Sequence, residues 1–215
     1  MFRLLASILV LAAALSALPA DAMDFSLLRT ASGRTEVLAS GEIIPGDAQR
    51  LARALRHATP DAHGTRRLLL DSPGGSVVDA IDMADLMNQI GVITVVPAKA
   101  MCASACASVL FVAGKYRTVE KGGQLLIHSC FDARTGRKMD QCDAYISARA
   151  QQQGISSRAM MAFQEIAPGP EYGVVFNAAD AACFGLTRAP GKAALGDNAP
   201  CLKVLLHGNA KRKKR

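Results

Sequence analysis

Residues 68–87 read LLLDSPGGSVVDAIDMADLM. Arg67–Asp71 sets three leucines in a row, the pattern of a short strand buried on both faces. Ser72-Pro73-Gly74-Gly75-Ser76 stops it, because Pro73 removes a ladder donor and two adjacent glycines permit positive φ. From Val77 apolar residues recur at helical spacing through VVDAIDMADLMNQIG, which Gly91 ends. A buried strand, a tight glycine turn and an amphipathic helix, in that order, predict an α/β chain.

The same alternation runs outward on both sides. Thr35–Ile44 alternates as a strand, and Pro45-Gly46-Asp47 opens the helical stretch AQRLARALRHA. Gly91–Val96 predicts a strand stopped by Pro97. Cys106–Ala113 predicts a buried helix, with Ser104 at or near its N-terminus. Gly123–His128 is a further strand, Asp140–Gly154 and Ser156–Ile166 are helices, and Ala178–Phe184 is a short helix before Gly185. The expectation is an α/β fold with a largely parallel sheet, whose sites gather at strand carboxyl ends.

The ends differ in character. MFRLLASILVLAAALSALPADA has one arginine, an apolar run over Leu4–Leu18 and an Ala20-x-Ala22 site before Met23, the layout of a secretory leader. Cleavage near Ala22 is expected, and with it a periplasmic or secreted protein; a retained N-terminal anchor is the rival reading. The net charge of +7 suggests nucleic acid until it is located: Lys211-Arg212-Lys213-Lys214-Arg215 carries most of it. Such a run is expected to be solvated and at most to touch an anionic surface. With no Trp and only three Tyr, stacking platforms are scarce and nucleic acid is not an expected partner. Three parts follow: a leader over 1–22, one domain over 23–205, and a basic tail over 206–215.

Cys102, Cys106, Cys130, Cys142, Cys183 and Cys201 all lie after the leader. An even number in an oxidising compartment reads as disulfides, although their pairing does not follow from the count. We expect Cys130 with Cys142, closing a polar excursion, and Cys183 with Cys201. Cys102 and Cys106 are spaced for a disulfide, for two packed thiols, or for a thiolate nucleophile. Zinc is disfavoured because no CxxC pair or histidine cluster accompanies them; neither metal nor cofactor is expected.

Three features end predicted strands: the Gly74-Gly75 turn, Ala100–Cys106 in MCASACAS, and Ile127-His128. A glycine pair lets backbone amides approach a ligand, but alone it is usually just a turn. A serine at a helix start has unpaired amides and the positive end of the dipole behind it, but alone it is usually an N-cap. A histidine ending an apolar strand can act as a base, but alone it is usually structural.

Taken in order, LLLDSPGGSVVDAIDMADLM, the ASA around Ser104, the strand QLLIH and the late NAADAACFGL over Asn177–Leu186 resemble the serine peptidase family of the Clp protease proteolytic subunit. The CxSAC at the serine resembles an exported branch of that superfamily. The resemblance covers roughly residues 35 to 188 and implies a ClpP/crotonase-like repeated ββα superhelix. It implies Ser104 as nucleophile, His128 as base, and the N–H groups of Gly75 and Ala105 as oxyanion hole. A peptide or protein substrate and a homo-oligomer are implied too.

One position departs. The carboxylate that orients the histidine in the family falls, aligned on Phe176, at Val174. Glu171 or Asp143 is the candidate replacement, or a backbone carbonyl holds the ring in a Ser-His dyad. The alternatives are a catalytically silent domain that binds peptide or a partner protein, a crotonase-type acyl-CoA site, and a Ser-Lys dyad using Lys99 or Lys115, as in the signal peptide peptidase A family.

Overall fold

The computed structural model describes residues 22–203. The expected leader, up to Asp21, and the basic tail lie outside the described residues. Among those described, no helix is long and apolar enough to cross a membrane.

Eight strands form two sheets. The first has the order β1 (Asp24–Arg29), β2 (Thr35–Ser40), β3 (Arg66–Asp71), β4 (Val92–Val96), β6 (Tyr116–Val119). The second is β5 (Met101–Ala103), β7 (Gln124–Ile127), β8 (Val174–Phe176). The pairings β2·β3, β3·β4, β4·β6 and β5·β7 are parallel. The expected largely parallel sheet is matched in part: the parallel pairings are divided between two sheets, each with an antiparallel strand at one edge, β1 on β2 and β8 on β7.

The repeat behind this is a strand in the first sheet, a short extended piece in the second layer, then a helix. β2 is followed by Ile43, which bridges Gly75, and by α1 (Asp47–His57). β3 is followed by Ser72, which bridges Cys102, and by α2 (Val77–Ile90). β4 leads to β5 and a π-helix over Cys106–Phe111, and β6 leads to β7 and α3 (Asp140–Gln152). This is the ββα superhelix the resemblance implied. Two further helices, α4 (Ser157–Ile166) and α5 (Ala178–Cys183), close the chain around β8.

Local sequence accounts for the elements. Ser76 caps α2 by accepting the Asp79 N–H, and Ala80, Met83, Ala84 and Met87 bury one face at helical spacing. In α1 the buried Asp47 accepts the Ile44 N–H at 2.7 Å and pairs with Arg50, so the chain enters the helix at a fixed angle. The later helices meet over an edge-to-face trio of Phe163, Phe176 and Phe184 with centroids 4.7 to 5.7 Å apart.

Arg117 in β6 is 1% exposed, and no carboxylate is paired with it among the described residues. Its guanidinium instead donates to three carbonyls: Nε to Leu186 at 2.7 Å, Nη1 to Gly114 at 3.0 Å and to Val112 at 3.3 Å. Burial first, and Arg188 second, pull its pKa down to about 10, so it remains charged at neutral pH. The positive group thus sits at the carboxyl end of the π-helix run, where the helix dipole favours it. Arg117→Met would strand all three acceptors; each buried unsatisfied group costs about 1–3 kcal/mol. We expect a loss of at least about 3 kcal/mol and a melting midpoint roughly 10 °C lower, measurable by thermal unfolding under oxidising conditions.

Candidate active site

Ser104 follows β5 immediately and has φ 56°, one of two non-glycine residues with positive φ among those described. A left-handed conformation costs about 1–2 kcal/mol in a residue with a Cβ, so its surroundings must hold it. They do so through three bonds: its N–H donates to the Leu126 carbonyl at 2.8 Å, and its own carbonyl accepts the Ser108 N–H and Oγ, both at 2.9 Å. The side chain is half-buried while Ala103, Ala105 and Cys106 around it are buried. Ser104 is therefore the one partly exposed residue in an otherwise buried stretch from Cys102 to Ala113.

The β5·β7 register pairs Ala103 with Leu126. Extended by one residue, it sets Ser104 beside Ile127, and His128 is the next residue along β7. Sequence positions 24 apart are thus brought to the same carboxyl edge of one parallel pair.

His128 Nδ1 lies 2.7 Å from the Ser129 carbonyl oxygen. A carbonyl can only accept, so Nδ1 carries the ring proton in neutral imidazole and Nε2 presents its lone pair. The carbonyl is itself anchored. The Ser129 N–H donates to the Ala167 carbonyl at 2.8 Å, and its fully buried Oγ to the Gln164 carbonyl at 2.7 Å.

Of the candidate third members, neither carboxylate hydrogen-bonds His128 among the described residues. Asp143 is buried and accepts the Cys130 N–H at 2.7 Å, with Lys138 Nζ 3.6 Å away. It fixes the turn two residues beyond the ring rather than the ring. Glu171 is exposed, its carboxylate folded back beside Gly169. Val174, the position that the resemblance aligns with the orienting carboxylate, pairs with Ile127 across β7·β8, one residue short of the histidine, and carries no carboxylate.

The two glycines are needed for different reasons. A Cβ on Gly75 would stand 2.4 Å from the Ile43 carbonyl oxygen, and φ is 136°. A Cβ on Gly74 would stand 2.7 Å from both the Ser104 Cβ and the Ala103 oxygen and 3.0 Å from the Ala105 nitrogen. Gly74 is thus the residue in contact with the nucleophile turn, a part that the glycine pair signals in the sequence but that the resemblance, which assigns only the Gly75 donor, does not give. Around Gly75, Ile43 N–H donates to the Gly74 carbonyl and Ser76 N–H to the Ile43 carbonyl. That parallel bridge turns the Gly75 N–H away from Ile43. Among the described residues, neither the Gly75 nor the Ala105 N–H has a hydrogen-bond acceptor.

All six cysteines are paired: Cys102–Cys106, Cys130–Cys142 and Cys183–Cys201. The two expected bridges are present, and the open question at Cys102 and Cys106 resolves to a disulfide, removing both the thiolate nucleophile and thiolate metal ligands. The lysine readings find no support in the geometry. Lys115 lies over the Tyr116 ring beyond the far end of the π-helix, and Lys99 points to solvent. Beside the nucleophile turn Asp71, Ser72, Pro73 and Met101 line an open groove of about 810 Å³.

The Clp protease family model matches residues 29–189. The fold is similar to the ClpP protease catalytic domain from Plasmodium falciparum, at TM-score 0.52 and 18% identity, over 68% of this chain and 78% of that one. It is also similar to a mutant of the 1510-N membrane-bound stomatin-specific protease, at TM-score 0.56 and 19% identity, over 70% and 75%. No curated protein matches the chain.

Proposed function

Since the chain belongs to the Clp protease family, we propose that it is an exported serine peptidase that forms an acyl-enzyme on Ser104. Substrate carbonyl carbon is attacked by Ser104 Oγ while His128 Nε2 takes the hydroxyl proton. The oxyanion is received by the Gly75 and Ala105 N–H groups, which have no other acceptor to release. Collapse returns the proton from His128 to the leaving amine, and water, deprotonated by the same nitrogen, hydrolyses the ester.

One observation carries this reading: a strained serine and a histidine end adjacent parallel strands, and the Nδ1 of that histidine is tied to the buried Ser129 carbonyl. The carbonyl supplies orientation and tautomer. It supplies no negative charge to the imidazolium, so turnover is expected to be slower than that of a triad.

Export is supported by three disulfides in the described chain and by the leader pattern that ends at Ala22, with residues 23–205 as one domain. The substrate is a peptide or unfolded protein, a homo-oligomer is expected from the family, and contact of the basic tail with anionic surfaces is part of the same proposal. Val174 favours the second reading, a silent domain that binds peptide through the same cleft. Incubation of the oxidised protein with an unstructured polypeptide separates them: new amino termini that Ser104→Ala fails to generate support the peptidase. Binding of that polypeptide without cleavage supports the silent domain.

A further inference from the structure

Resting on the assignment of Ser104 as nucleophile, we propose that the Cys102–Cys106 disulfide is the positioning element of the nucleophile turn, so that acylation at Ser104 requires the oxidised chain. The bridge closes a ring of five residues, from the middle of β5 to the first residue of the π-helix, with Cα atoms 5.2 Å apart and Ser104 at its centre. Both cysteines are fully buried, so the bridge lies on the inner side of the turn, while Ser104 between them is only half-buried. Nothing else on the turn can grip it by side chain: Ala103 and Ala105 contribute methyl groups only. The backbone bonds of Ser104 run to Leu126 on one side and Ser108 on the other, and the disulfide adds to the main chain a second covalent tie across the turn between them. It opposes relaxation of Ser104 out of the left-handed region.

The position of the Cys183–Cys201 bridge makes the contrast. Cys183–Cys201 ties α5 to the segment that follows it, away from β5 and β7. Reduction of Cys102–Cys106 by a dithiol adds two electrons and two protons to give two thiols, while the dithiol closes to its own disulfide. Because the sulfurs are buried, this exchange needs local opening of the turn.

The test compares fluorophosphonate labelling at Ser104 in oxidised wild type, in Cys102→Ala/Cys106→Ala, in Cys183→Ala/Cys201→Ala, and in wild type treated with dithiothreitol. Mass spectrometry counts the open bridges, and rates are expressed per folded molecule by circular dichroism. We expect the saturating labelling rate of Cys102→Ala/Cys106→Ala to fall on the order of 10²-fold, as misplacement of a reacting group does. The half-saturating probe concentration stays unchanged, and Cys183→Ala/Cys201→Ala labels like wild type. Folded Cys102→Ala/Cys106→Ala labelling at the wild-type rate overturns the proposal. Loss of its fold assigns the bridge to structure alone and does the same. Absence of label in oxidised wild type is a different failure, of the nucleophile assignment itself.

Discussion

Ser104→Ala and His128→Ala are each expected to lower turnover of an unstructured polypeptide by at least about 10²-fold, short of the roughly 10⁶ of a full triad because His128 has no carboxylate behind it, and the double variant by no more than either single. The reason lies in the coupling of the two groups. A hydroxyl at neutral pH is a poor nucleophile until its proton has somewhere to go, and the Nε2 lone pair is useful only if a hydroxyl sits before it. Either deletion leaves the same remnant, a pair of amide donors with no attacking group. Both side chains are half-buried at the ends of short strands, so neither change should unfold the chain. Kinetics of amino-terminus release on the three purified variants measures this. Additive losses in the double variant would mean that the residues act separately.

Gly74→Ala and Gly75→Ala should also be strongly damaging, by a different route. At Gly75 the new Cβ meets the Ile43 carbonyl at 2.4 Å, and at Gly74 it meets the nucleophile turn itself at 2.7 Å. Backbone atoms cannot swing aside as a flexible side chain can. The turn must move, and with it either the Gly75 donor or Ser104. Loss of a single oxyanion donor costs about 10²–10³ in turnover, so each alanine is expected to reduce it by roughly 10³. Gly33→Ala is the control, because its φ of 79° is also positive while no atom lies within 4 Å of the added Cβ. It should lower the melting temperature slightly and leave turnover intact.

How much of this was legible in the residues depended on length and on distance in sequence. The run from Leu68 to Met87 announced its own strand, turn and helix, because three leucines and a fourteen-residue helix give enough periods to count. β5 and β8, at three residues each, give none. β6 was hidden for another reason: YRTV places a charged residue at a buried position, and only the three carbonyls around Arg117 make that stable. Those carbonyls belong to residues as far away as Leu186.

The site followed the same division. Ser104, His128 and the glycine turn were readable because each ends an element. The orientation of the histidine was not, since it rests on a backbone carbonyl, and every residue has one. What fixes the Ser129 carbonyl is the packing of α4, through Gln164 and Ala167. Asp143 looked like a candidate by residue type alone; the fold assigns it to Cys130, where it helps hold the segment after the ring.

The central claim is that Ser104 is an activated nucleophile. Its most direct test is to treat the oxidised, folded protein with a fluorophosphonate probe and locate the adduct by tandem mass spectrometry. The account predicts a single adduct on Ser104 that heat denaturation, Ser104→Ala or His128→Ala abolishes. Folded protein that takes no label, or takes it elsewhere, would contradict it and make Val174 the mark of a fold retained for binding.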